Sequence, residues 1–154
     1  MLLKISKGNH KNFRLPKFTI GNKIDGTVTF LGDFSYKIEK QYDTNKVIGL
    51  SDSWNHLRDS VRIGWRWYKN ELQVMSLIHS QGEIQISYLT TIRENKEYSF
   101  SILIEKNSYI IVFDNKKFEF ERKSRWRFLR YYLFAYFGGK TKAPKDFKFK
   151  INCY

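Results

Sequence analysis

Apolar and polar residues alternate along most of this chain, and turn-forming residues interrupt the alternation about every ten residues. A strand points successive side chains to opposite faces, whereas a helix repeats its apolar positions every three or four residues. In residues 60–67 every second position is apolar, and Arg62 and Arg66 fall between the apolar ones. Near the end, Phe147, Phe149 and Ile151 alternate with lysines. The pattern predicts an all-β chain.

The length and composition fit one packed domain. The chain has 154 residues, of which 42% are hydrophobic, enough apolar material for a core. Roughly ten short strands account for it, so we predict a single antiparallel β-sandwich of jelly-roll type over residues 1–154. Residues 122–137 fit either a strand or a helix, and their aromatic content favours a strand.

The formal net charge of +13 is concentrated at the two ends of the chain. Residues 1–23 carry a net charge of +6, residues 24–115 carry −2, and residues 116–154 carry +9. This segregation predicts that the ends meet in one basic face. Such a face favours a polyanion as partner, although the charge could also serve solubility alone.

Basic and aromatic residues alternate most densely between positions 116 and 130. Arginine binds phosphate oxygens in bidentate fashion, and exposed aromatic rings stack on unpaired bases. Alternatively, the aromatic rings face the core and the arginines line its rim. The predicted nucleic-acid-binding surface consists of Lys116, Lys117, Arg122, Lys123, Arg125, Trp126, Arg127, Arg130, Lys140, Lys142, Lys148 and Lys150.

These residues predict a non-enzymatic protein that binds RNA or an RNA–protein complex. A more specific version is a phage or prophage inhibitor of a host nucleoprotein, of the anti-CRISPR type. The alternative is a lectin-like module for an acidic glycan, because sandwich folds often stack aromatic rings on sugars. Arg62 and Arg66 stay open at this point, either as members of buried ion pairs or as part of a concave binding face.

No catalytic or metal site is predicted. Ser53, His56 and Asp59 lack the elbow and oxyanion pattern of a nucleophilic site, and nothing in the spacing of the carboxylates identifies a catalytic pair. The histidines are widely separated, so we expect no metal ion and no cofactor. The single cysteine implies no disulfide, and no apolar leader is evident, so we expect a cytoplasmic protein with no membrane partner.

Two sequence blocks resemble a group of small uncharacterised bacterial proteins. Residues 60–67 read S-x-R-x-G-W-R-W, and residues 136–139 read Y-F-G-G, followed by A-P-x-D at 143–146. The resemblance implies a jelly-roll or lectin-like β-sandwich and leaves the activity open. The group often has paired histidines before the first block and a histidine where Lys145 stands. Here only His56 precedes the block, which weakens any role that needs those histidines.

Overall fold

The structure, a computed structural model, describes residues 1–154 as two six-stranded antiparallel sheets. Sheet I contains, in spatial order, β1 (Leu2–Ile5), β12 (Phe147–Cys153), β3 (Lys23–Leu31), β8 (Glu97–Ile104), β9 (Ser108–Phe113) and β10 (Lys116–Glu121). Sheet II contains β2 (Phe18–Thr19), β11 (Arg130–Leu133), β4 (Asn45–Ser51), β5 (Ser60–Tyr68), β6 (Glu71–Ser80) and β7 (Glu83–Ile92). The predicted all-β, jelly-roll-type sandwich is confirmed, and no helix could span a membrane.

The core lies between the sheets and is rich in aromatic rings. Trp65 is fully buried there, and its ring centroid lies 4.9 Å from those of Phe34 and Phe147. The alternation read from the sequence decides which residues point inward, since Val61 and Ile63 are buried on the same face of β5 as Trp65. Each such large side chain contributes about 1.5–3 kcal/mol by leaving water.

Tight turns fix the register of the hairpins in both sheets. Lys69 and Asn70 join β5 to β6 with φ values of 53° and 59°. Asp114 and Asn115 join β9 to β10 with φ values of 47° and 64°. Two consecutive left-handed residues match the right-handed twist of the flanking strands, and asparagine tolerates this conformation well. The turn-forming residues that recur along the sequence therefore mark real turns at these two places.

The basic residues do not form one continuous face. The chain ends do meet, since β1 pairs with β12 and the Met1 amino group donates to the Ile151 carbonyl at 2.8 Å. However, β10 lies at the opposite edge of sheet I, four strand spacings or about 19 Å from β12. Lys116 and Lys117 are thus separated from the terminal lysines by the width of the sheet. The expectation of a single basic face is wrong.

The ambiguous residues 122–137 contain only the four-residue strand β11, and the rest is irregular. The prediction of a strand over this stretch is therefore only partly right. Hydrogen bonds from Arg122 and Arg130 to the buried carboxylate of Asp52 organise the irregular part.

Candidate functional site

Asp52 holds two of the predicted nucleic-acid contacts inside the protein. Its carboxylate is fully buried and accepts hydrogen bonds from Arg122 at 2.6 and 2.9 Å, from Arg130 at 3.1 Å and from the Tyr109 hydroxyl at 2.8 Å. Both arginine side chains are only 7% exposed. The structure thus corrects the prediction for Arg122 and Arg130, because their guanidinium groups are occupied by Asp52 and tie two loops together.

The other ten predicted contacts are dispersed over the molecule. Lys116 and Lys117 lie on β10, where the Lys116 ammonium donates to Thr90 Oγ1 at 3.2 Å. Lys123, Arg125 and Trp126 line a cleft at one end of sheet II, and Arg127 is exposed nearby. The remaining four lysines are exposed in other regions: Lys140 and Lys142 after Gly139, and Lys148 and Lys150 on β12.

A different cluster lies on the outer face of sheet II, the face turned away from the core. Strand β5 contributes Ser60 and Arg62 to this face, and β6 contributes Leu77 and His79 directly opposite them. All four are buried, although no third layer of strands covers the face. By contrast, three side chains of the neighbouring strand β7 stand half exposed at its rim: Ile84, Ile86 and Tyr88. We call this outer face, with the buried Arg62 near its middle and the half-exposed β7 side chains at its rim, the trough.

Arg62 is a buried cation without an anionic partner. Its side chain donates from Nη2 to the Phe134 carbonyl at 2.9 Å, while the buried Nε has no hydrogen-bond partner. No carboxylate lies within salt-bridge distance, and the residue is 7% exposed. Burial lowers the pKa of Arg62 to about 10, so the group stays charged at neutral pH. An unpaired buried charge is costly, which marks the position as a candidate anion site.

Tyr131 and His56 form a hydrogen-bonded pair beside Arg62. The Tyr131 hydroxyl accepts from the His56 backbone N–H at 2.9 Å and lies 3.1 Å from His56 Nδ1. Burial, and secondarily the charge of Arg62, lowers the pKa of His56 below its ordinary value of 6.5. The ring is therefore neutral at pH 7 and able to accept a proton.

His79 lies in the same trough and is linked to His56 through a serine. Ser60 Oγ lies 3.2 Å from His79 Nδ1 and donates to the His56 carbonyl at 2.7 Å. Burial and the charge of Arg62 lower the pKa of His79 to about 4. No group of three or more histidine, cysteine or acidic side chains converges as a metal site would require.

Lys46 and Tyr136 close the other side of the trough. The Lys46 ammonium donates to the Gly138 carbonyl at 2.8 Å and lies 5.5 Å from the centre of the Tyr136 ring. The His10 ring stacks on the Tyr136 ring, with 5.1 Å between the two ring centroids. Burial, and secondarily Arg62, lowers the pKa of Lys46 to about 8. The trough thus combines two cations with histidine rings and tyrosine hydroxyls, a set suited to binding a carboxylate and moving protons.

The fold matches solved structures of polysaccharide-active enzymes. Alginate lyase AlyC3 superposes with a TM-score of 0.69 and 12% identity over 99% of this chain and 74% of its own. The marine PL7 alginate lyase AlyA1 from Zobellia galactanivorans gives 0.64 and 11% over 99% and 75%. SCLam, a non-specific endo-β-1,3(4)-glucanase of family GH16, gives 0.58 and 13% over 89% and 57%. No family model and no curated protein matches the sequence.

These comparisons overturn the expectation of a non-enzymatic protein. The structures that share its fold include several alginate lyases and a glucanase, all of which are enzymes. At these identities the likeness shows the fold, and the activity of this chain is argued below from its own residues. The fold also agrees better with the glycan alternative than with RNA binding.

The alternation in the sequence predicts an outward-facing Arg62 but does not distinguish an ion pair from a binding role. Nothing in the sequence relates His56 to His79, since 22 residues lie between them. In the structure, β5 pairs with β6, and the β4–β5 loop folds back beside them. Ser60 therefore contacts both His56 and His79. The available signal was the alternation in residues 60–67, which puts Ser60 and Arg62 on the face opposite Trp65.

Proposed function

We propose that this protein binds an acidic polysaccharide in the trough on the outer face of sheet II and cleaves it by β-elimination. The observation that carries the proposal is Arg62, a charged and nearly buried guanidinium for which the protein supplies no carboxylate. A substrate carboxylate would supply the missing partner, and arginine binds carboxylates through two parallel hydrogen bonds.

A uronate polymer fits this site better than a neutral glycan. A neutral sugar would leave the Arg62 charge unpaired and would desolvate it further. The fold is shared with alginate lyase AlyC3, whose structure in complex with dimannuronate is known. That likeness supports a polyuronate as the substrate class for this chain without identifying the sugar.

The residues of the trough can perform both proton transfers of the elimination. Arg62 neutralises the carboxylate, which makes the adjacent C5 proton more acidic and stabilises the developing enolate. In the tautomer that carries its proton on Nδ1, His56 accepts the C5 proton on Nε2. The C4–O bond breaks, a C4=C5 double bond forms, and the Tyr131 hydroxyl protonates the leaving oxygen. The proton on His56 Nδ1 then restores Tyr131 across the 3.1 Å contact.

The direct test is the ultraviolet absorbance of the C4=C5 double bond when the protein is incubated with polymannuronate, polyguluronate and other uronate polymers. We expect absorbance to rise with at least one polyuronate and not with a neutral β-glucan. The absence of a rise with every polyuronate tested, together with reducing ends released from the β-glucan, would overturn the proposal in favour of a hydrolase.

RNA or nucleoprotein binding, including inhibition of a host effector, stays a prediction. Two of its twelve residues, Arg122 and Arg130, are committed to Asp52, and the others do not share one surface. The acidic-glycan proposal uses a site whose cations are already brought together.

A further inference from the structure

A second cleft adjoins the trough at the end of sheet II where the β4–β5 loop meets the β10–β11 connection. It has a volume of about 550 Å³. Trp54 is 77% exposed, and its ring centroid lies 5.3 Å from that of Trp126 at an interplanar angle of 73°. Phe128 makes the same edge-to-face contact with the Trp126 ring. We call this feature the tryptophan cleft.

The floor of the tryptophan cleft is held in place by the Asp52 cluster. The Trp126 carbonyl accepts hydrogen bonds from Arg122 at 2.8 Å and from Arg130 at 3.1 Å. The Trp126 indole N–H donates to the Leu129 carbonyl at 3.1 Å. Trp126 is thereby held in one orientation and supports the exposed Trp54 ring through their edge-to-face contact, which lowers the entropic cost of ordering the ring on binding.

Cations surround the rings. Arg58, Lys123 and Arg125 line the cleft. The single acid there, Asp59, is nearly buried, accepts from the Gln81 backbone N–H at 3.0 Å and lies 3.4 Å from Arg58 Nε, so Lys123 and Arg125 are the cations more available to a ligand. An exposed ring flanked by cations presents one apolar face and nearby anion-binding groups. A pyranose ring that bears a carboxylate has the complementary surfaces.

The tryptophan cleft and the trough are neighbours along the β4–β5 loop. The Tyr131 hydroxyl, which we assign to proton transfer, donates to the Trp54 carbonyl at 3.2 Å and turns from it when it protonates the leaving oxygen. His56 lies two residues along the same loop. A chain bound at Arg62 that passes Tyr131 would therefore arrive at Trp54.

We infer that the tryptophan cleft binds a further sugar unit of the acidic chain, which stacks on Trp54 while Lys123, Arg125 or Arg58 pairs with its carboxylate. The inference rests on the proposed function for the identity of the chain. It predicts that oligosaccharides long enough to occupy both the trough and the cleft bind more tightly than those that occupy the trough alone.

Single-stranded RNA is the competing occupant, because Lys123, Arg125 and Trp126 belong to the predicted RNA surface. The observations favour the sugar. The basic track that RNA would follow is interrupted where Arg122 and Arg130 turn inward to Asp52. The cleft instead neighbours the loop that carries His56, which lies close to Arg62 in the trough.

The test compares Trp54→Ala with Tyr42→Ala, a control that removes an exposed aromatic ring outside the cleft. Binding of mannuronate disaccharide and of a long mannuronate oligosaccharide is measured by calorimetry, both with Arg62 present and in the Arg62→Gln background. We expect Trp54→Ala to weaken binding of the long oligosaccharide by roughly 2- to 12-fold in both backgrounds. We expect disaccharide binding to be unchanged, and Tyr42→Ala to behave like the unmodified protein.

The outcomes separate this inference from the proposed function. If no double-bond absorbance is ever produced but Trp54→Ala still weakens oligosaccharide binding, the lyase proposal fails and the cleft assignment stands. If polyuronate is cleaved but Trp54→Ala and Tyr42→Ala bind the long oligosaccharide equally, the cleft assignment is overturned. It is also overturned if the substitution weakens only the binding of oligouridylate, or if the unmodified protein binds no acidic oligosaccharide.

Discussion

Gly49 lies directly opposite Arg62 on the adjacent strand and leaves the space through which the arginine side chain passes. The two residues are paired in the β4–β5 register. A Cβ atom on Gly49 would lie 2.5 Å from Arg62 Cγ and 2.9 Å from Arg62 Cα. Real Cβ atoms do not approach other heavy atoms so closely. The Val61 carbonyl oxygen would be closer still, so the glycine leaves room both for the backbone of β5 and for the first atoms of the Arg62 side chain.

Gly49→Ala is expected to displace Arg62 and to lower the free energy of unfolding by about 1–3 kcal/mol, the usual cost of overpacking. Lyase activity should fall with it. Gly139→Ala is the matched control, because a Cβ there meets no heavy atom within 4 Å and should be neutral. Denaturant unfolding of both variants measures the difference, and equal stability would show that Arg62 does not need the space.

Arg62→Met should keep or raise stability while it abolishes activity. The substitution removes an unpaired buried charge and retains much of the apolar volume, so a gain of up to about 2 kcal/mol is expected. Arg122→Met is the contrasting control, because it removes a partner of the buried Asp52 and should cost about 3–5 kcal/mol. Thermal unfolding distinguishes them. A comparable loss for Arg62→Met would make Arg62 a structural residue.

Asp52→Asn should be among the most destabilising single substitutions in this chain. It would leave Arg122 and Arg130 without a counter-charge and weaken the hydrogen bond from Tyr109, at a cost of about 3–5 kcal/mol. Asp33→Asn, which breaks an exposed pair with Lys145, should cost at most about 1 kcal/mol. If calorimetric unfolding gave equal shifts for the two, the Asp52 cluster would not be the anchor described here.

The sheet pattern could be predicted from the sequence because strands and tight turns are local. Alternation places Trp65 inward and Arg62 outward, and consecutive residues such as Asp114 and Asn115 favour the left-handed turn that joins two strands. The length of a strand in residues 122–137 was not predictable in this way. There a contact with Asp52, 70 positions away from Arg122, overrides the local preference of the aromatic residues.

The site could be predicted only in part, because its chemistry depends on which charges are paired. Arg122 and Arg62 look alike as basic residues among aromatic ones, yet Arg122 is bound to Asp52 and Arg62 has no carboxylate. The distribution of charge along the sequence does not distinguish a paired arginine from an unpaired one. It therefore predicts a basic surface near residue 116 and gives no sign of the hydrogen bond between His56 and Tyr131.

The protonation of His79 should appear in the pH dependence of stability. Its pKa is about 4 in the folded protein and about 6.5 when unfolded, so the unfolded chain takes up the proton first as the pH falls. The folded state therefore loses stability between pH 6.5 and pH 4, by on the order of 2 kcal/mol. His79→Gln lacks this loss, so its stability relative to the unmodified protein should rise over that window. If the unfolding free energies of the unmodified protein and of His79→Gln changed in parallel over this pH range, the lowered pKa of His79 would be contradicted.

The role of Arg62 as the carboxylate-binding group is tested most directly by the kinetics of double-bond formation with Arg62→Lys and Arg66→Lys on the preferred polyuronate. Both arginines point to the same face of β5, but Arg66 is bound to Gln73 at 2.8 Å. Loss of bidentate pairing at Arg62 should reduce kcat/KM by about 100-fold or more, from about 3 kcal/mol of lost transition-state stabilisation. Arg66→Lys should leave it within about threefold. Equal kcat/KM values for Arg62→Lys and the unmodified protein would contradict the account.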